Sequence, residues 1–119
     1  RKAMNLKEFY DTTGGDYEAT VQRLQNEEFL EQFVIKYAAD PSYSNLMAAV
    51  ADRDWETAFR SAHTIKGIAQ NLGFAGLQDA AVLLTEDLRG PSELSSAKLL
   101  EDVSFCHTEI IDAIKALED

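Results

Sequence analysis

The sequence holds one cysteine, two prolines and six glycines in 119 residues, and each shortage removes a class of protein. Cys106 has no second cysteine to form an internal disulfide with, and no thiol at ligand spacing. Disulfide scaffolds, zinc ribbons and thioredoxin-like redox motifs are therefore excluded, and a reducing compartment is expected. No apolar run approaches the roughly 20 residues that span a bilayer, and Arg1-Lys2-Ala3-Met4 leads into an amphipathic segment, not a signal-peptide core. A cytoplasmic domain with no membrane contact is the expectation. Positive charge is also scarce: 11 Lys and Arg face 21 Asp and Glu, a formal charge of −10 that repels nucleic acid and anionic lipid. Neither a Gly-x-x-x-x-Gly-Lys-Ser/Thr loop nor a kinase-type glycine loop occurs, so the chain has no recognisable ATP site of its own. Alternating strand patterns, internal repeats and low-complexity runs are missing as well.

What is present is helical periodicity broken by sparse punctuation. A hydrophobic content of 45% supports one core, so residues 1–119 are read as a single domain. Leu6, Phe9, Tyr10 and Thr13 predict a short first helix stopped by Gly14-Gly15, with Asp16 capping the next segment. Leu30, Phe33, Val34 and Tyr37 follow the i, i+3, i+4, i+7 pattern up to about Asp40-Pro41, and a shorter piece covers Leu46 to Ala51. Asp54 then caps a helix whose seam is Ala58, Ala62, Ile65, Ala69 and Leu72, ending at Gly73. Leu77, Ala81, Leu84 and Leu88 repeat the spacing until Arg89-Gly90-Pro91. Ser92 marks the cap region of a final helix carrying Leu99, Val103, Cys106, Ile110, Ala113 and Leu117. Short links favour antiparallel neighbours. The predicted fold is all-α: an up-down antiparallel four-helix bundle over about 26–119, preceded by a helical extension over about 1–25.

A bundle is a scaffold, so function has to come from a site. With Ala58, Ala62, Ile65, Ala69 and Leu72 facing inward, His63 is turned about 100° from the seam and faces outward or sits at an edge. Its flank carries Phe59, Arg60, Lys66, Gly67, Gln70 and Phe74. A glycine inside a helix costs about 1 kcal/mol relative to alanine, and Gly67 lies one turn beyond the histidine, where a missing side chain opens space beside the imidazole. Lys66 brings an ammonium to the same ring, suited to neutralising a phosphoryl group. Taken singly, a surface histidine, a solvated lysine and a packing glycine are each ordinary.

Together, Ala62-His63-Thr64-Ile65-Lys66-Gly67 followed by Asn71-Leu72-Gly73 resembles the signature of histidine-containing phosphotransfer (HPt) domains: a histidine with lysine three and glycine four positions later. The resemblance extends from about Leu30 through Leu88. It implies that His63 takes phosphate on Nε2 while a polar group on the adjacent helix holds Nδ1. Family members commonly carry Gln or Glu there, and the count falls on Thr85, with Glu86 beside it. A bond to Nδ1–H leaves Nε2 free to attack. The resemblance also implies a receiver-domain partner, free or joined to a hybrid sensor histidine kinase, whose acidic pocket holds the Mg²⁺ and whose aspartate exchanges phosphate with His63. This chain would need no cofactor of its own and would act as a phosphorelay intermediate, not an enzyme. Phe59, Arg60, Gln70 and Phe74 are the docking candidates, and a monomer is expected.

His107 serves as an internal control, because Ile110 and Ile111 stand where the motif has Lys and Gly; a helix-surface or boundary position is expected for it. Cys106 lies on the apolar stripe as a small hydrophobe. Adjacent on one helix, Cys106 and His107 point in different directions, and no Glu-x-x-His pair occurs, so no metal site is expected. The acidic surplus reads as a solvated face. Two other classes remain: a helical adaptor without chemistry, which would not need Lys66 and Gly67 together, and an enzyme using His63 as general base, which lacks a second titratable residue placed with it.

Overall fold

Side-chain caps and left-handed turns mark the helix ends along the chain. The computed structural model describes residues 3–118, and among them every regular element is a helix. α1 spans Leu6–Thr13 and opens on a capping box in which Asn5 and Glu8 satisfy each other's backbone N–H. α2 spans Tyr17–Leu24 with Asp16 accepting from Ala19 N–H, and α3 spans Glu27–Tyr37 with Asn26 accepting from Phe29 N–H. Pro41 precedes α4, Ser42–Ala51. Asp54 accepts from Thr57 N–H to start α5, Trp55–Leu72, and Gly73 ends it at φ 70°. α6 covers Ala75–Leu88 and α7 covers Ala97–Glu118.

α5 lies between α4 and α6, α6 packs on α7, and α3 touches both α5 and α7. The tight turns at 52–54 and 73–74 make α4, α5 and α6 antiparallel neighbours, as short connections require. α3 and α4 in succession supply the fourth member of the predicted bundle. Every seam residue expected on α5 is buried: Ala58, Ala62 and Ala69 completely, Ile65 at 1% and Leu72 at 8% exposure.

One expectation needs correction. The final helix begins at Ala97, not near Ser92. The link 89–96 instead folds back on α6: Ser92 N–H donates to Leu88 O at 2.8 Å, and both the backbone N–H and the hydroxyl of Ser95 donate to Asp87. Local side chain to backbone bonds of this kind hold a polar segment in turns where it could have continued a helix. The N-terminal extension contributes to the core. Leu6, Phe9 and Tyr10 are buried at 1%, 0% and 0% exposure, and the Phe9 and Tyr10 rings pack on each other and on Phe74.

The same segment closes the C-terminal end of α5. A helix leaves its last carbonyls without intrahelical partners. Here Tyr10 OH donates to Leu72 O, Asp16 N–H donates to Gly73 O at 3.2 Å, and the Arg23 guanidinium donates to Gln70 O and Asn71 O. Gly73 has no alternative residue, because its backbone is left-handed and a Cβ there would overlap the Thr20 hydroxyl.

Candidate functional site

His63 sits midway along α5 with its backbone fixed by the buried alanine seam behind it and its ring exposed to solvent. Among the described residues no hydrogen bond reaches either ring nitrogen. The ring leans on Phe59, one turn earlier, at 6.1 Å between centroids and 47°. One turn later, a Cβ built on Gly67 would meet nothing within 4 Å, so the glycine marks open space and not a close helix contact. Lys66 is half-buried beside it. Arg60 is exposed and paired with Glu56 at 3.3 Å, and Gln70 is exposed. His63, Phe59, Arg60, Lys66, Gly67 and Gln70 thus share one accessible face.

Phe74 does not belong to that face. It is 1% exposed, and its ring meets Tyr37 edge-on at 5.5 Å as well as Phe9 and Tyr10. Extrapolating the α5 wheel to residue 74 fails because the left-handed turn at Gly73 ends the helix and redirects the chain inward. The two orienting candidates are not bonded to His63 either. The Thr85 hydroxyl is buried with no hydrogen-bond partner among the described residues, and Glu86 accepts from Arg89 at 2.8 and 3.1 Å. That bond, helped by the Coulomb attraction of Arg89 and Lys66, holds the Glu86 carboxyl below the usual carboxylate range.

Two features of this region escape a reading by motif. Arg89, treated in the sequence as a helix stop, places its guanidinium carbon 5.2 Å from the centre of the Phe59 ring. On the other flank of α5, an open groove of about 360 Å³ is lined by Leu24, Phe33, Tyr37, Ile68 and Leu72, with Lys36, Asp40 and Asn71 at its edges. Phe33 is 46% exposed and Phe29, one turn earlier, 56%. Outward-facing phenylalanines four apart on α3 were a signal that could have found this surface.

His107 is a boundary residue of a different kind. It is half-buried, its Nδ1 lies 2.7 Å from Tyr37 OH, and Tyr43 stacks on it at 3.7 Å and 10°. Burial pushes its pKa below 6.5 and pushes the Tyr37 hydroxyl up, so at neutral pH the bond joins a neutral imidazole to a protonated phenol. Burial likewise raises the Cys106 thiol. Among the described residues no three His, Cys, Asp or Glu side chains gather as metal ligands, and no helix is long and apolar enough to cross a membrane.

A family model described as the Hpt domain matches residues 28–119, from the first turn of α3 onward and across the His63 motif. The chain belongs to the Hpt domain family. Comparison with curated proteins and with solved structures returned no significant match. Hpt domains are phosphotransfer carriers of phosphorelays that interact with receiver domains and kinases and lack an ATP site of their own. In this Hpt domain α1 and the whole of α2 lie outside the matched stretch, so the segment that closes the end of α5 comes from outside the family match.

Proposed function

We propose that this Hpt domain carries phosphate on Nε2 of His63 and exchanges it with an aspartate of a receiver domain. The observation that supports the reading is an exposed imidazole on a rigid helix with open space at Gly67 beside it, in a chain of this family. Accepting phosphate, neutral His63 uses the Nε2 lone pair to attack the phosphorus of the aspartyl phosphate; the acyl O–P bond breaks and the aspartate leaves as a carboxylate. The receiver supplies the Mg²⁺ for this step. Lys66 offsets the charge of the transferring group from one turn away, and the water-exposed imidazole needs no metal of its own.

Docking would use the accessible face: Phe59, Arg60 and Gln70 around the imidazole, and Phe33 and Ile68 on the groove side as apolar contacts missing from the motif. A small, transient interface suits a carrier that must release each partner. The test is incubation with a labelled, phosphorylated receiver, followed by mapping of acid-labile label. Label is expected on His63 and lost in His63→Gln, whereas His107→Gln should label normally. Normal uptake by His63→Gln would overturn the assignment.

A further inference from the structure

The neighbourhood of His63 already contains an anion. Glu86 sits on α6 with Arg89 bonded to it through Nε at 3.1 Å and Nη2 at 2.8 Å. The same guanidinium lies over Phe59, whose ring centroid is 6.1 Å from that of His63. Lys66, on α5, is near enough to favour the ionised carboxylate. One carboxylate therefore holds Arg89 and feels the weaker attraction of Lys66, at the flank of an imidazole that, on the reading above, receives a group carrying two negative charges.

The strength of this arrangement decides what it can do. Arg89 and Glu86 side chains are 53% and 58% exposed, and exposed pairs are worth at most about 1 kcal/mol. A phosphoryl group offers three strong acceptor oxygens and more charge than a carboxylate, so it competes for the same donors. Phe59 helps keep the guanidinium nearby, because a cation over a ring face is attracted to it by about 0.5–1 kcal/mol at an exposed site.

We propose that Glu86 is a resident counter-ion displaced by the phosphoryl group, and that Arg89, released from it, becomes a second cation on phosphohistidine beside Lys66. This rests on His63 being the phosphoacceptor. Glu86 then opposes the phosphorylated state twice, by repelling the phosphoryl group and by holding its cations, whereas Arg89 supports it. Glu86 thereby sets how long phosphate stays on the domain.

The experiment uses phosphoramidate as the donor, so that no receiver is involved. Nε2 attacks phosphorus, the P–N bond of the reagent breaks, and ammonia leaves with the bonding pair. The half-life of phosphohistidine is then followed as water attacks phosphorus and the imidazole departs. Phosphorus NMR against pH gives the second ionisation of the bound group. Glu86→Gln should lengthen the half-life and lower that ionisation; Arg89→Gln should shorten the half-life and raise it, each by roughly two- to fivefold, the scale of an exposed pair. Arg89→Lys should recover part of the loss, and the differences should shrink at high salt. If wild type takes no label on His63, the phosphoacceptor reading fails. If wild type is labelled there and Glu86→Gln and Arg89→Gln both decay and titrate as wild type, the counter-ion inference is wrong. It is equally wrong if Glu86→Gln shortens the half-life as Arg89→Gln does, since Glu86 would then only position the arginine.

Discussion

The two histidines of this chain lie on helices of the same bundle and receive opposite treatment. His63 has solvent on one side, a glycine gap on the next turn and, among the described residues, no hydrogen bond to its nitrogens. His107 is wedged between a phenol hydrogen-bonded to Nδ1 and a second tyrosine ring stacked flat on it, whose own hydroxyl is tied to Ser104 at 2.6 Å. A histidine held like His107 joins α3, α4 and α7. A histidine left like His63 has nucleophilic nitrogens that a partner can reach. The difference lies in the residues around each ring, since the imidazole is the same.

The largest expected effect comes from making His63 resemble its counterpart. Gly67→Gln fills the gap and should slow transfer from a phosphorylated receiver on the order of tenfold or more, since small displacements at a reacting centre are expensive. Gly67→Ala should raise thermal stability by about 0.5–1 kcal/mol, because its Cβ meets nothing and alanine is the better helix former. Equal transfer rates for wild type and Gly67→Gln would remove the argument from access.

Next in size is the release of His107. Tyr37→Phe removes the hydroxyl bonded to Nδ1 and should cost about 1 kcal/mol in denaturant melts. The pH dependence has a definite sign. With its folded pKa depressed below 6.5, His107 binds protons more readily in the unfolded chain. Stability should therefore fall as pH drops from about 6.5 toward the folded pKa and level off below it, and His107→Gln should flatten that part of the curve. A His107→Gln profile with the wild-type slope across that window would place the titration elsewhere.

The smallest effect concerns the orienting role. Thr85→Val keeps the shape and removes a buried hydroxyl that has no partner, which should stabilise the fold by up to about 1 kcal/mol. Unchanged phosphotransfer in this variant would show that Thr85 does not steer His63. A clear drop in rate would show that the hydroxyl turns toward the imidazole during the reaction.

Much of the architecture was legible because short-range chemistry decides it. Asp16 and Asp54 cap, Gly14 and Gly73 terminate, and the spacing of alanines and leucines on α5 and α6 defines the buried side. The face that carries His63 followed from the same spacing. What the sequence hid depends on contacts between distant segments. Phe74 was assigned to the surface by continuing a helix that Gly73 had ended. Arg89 looked like punctuation, and its role emerged only when α6 brought it over Phe59 on α5. Ser92 fitted a cap until Leu88, Arg89 and Asp87 claimed the following turn.

The closure of α5 by the N-terminal segment bears on where this domain can be cut. A fragment trimmed to the stretch that the family pattern recognises would begin at Glu28, and would lose Leu6, Phe9 and Tyr10 from the core together with the donors to Gln70, Asn71, Leu72 and Gly73. Water would reach the faces of Phe74 that now meet Phe9 and Tyr10, and the helix bearing His63 would begin to fray from its capped end. The functional unit for expression, labelling or grafting therefore starts no later than Asn5, whose side chain begins the first buried turn.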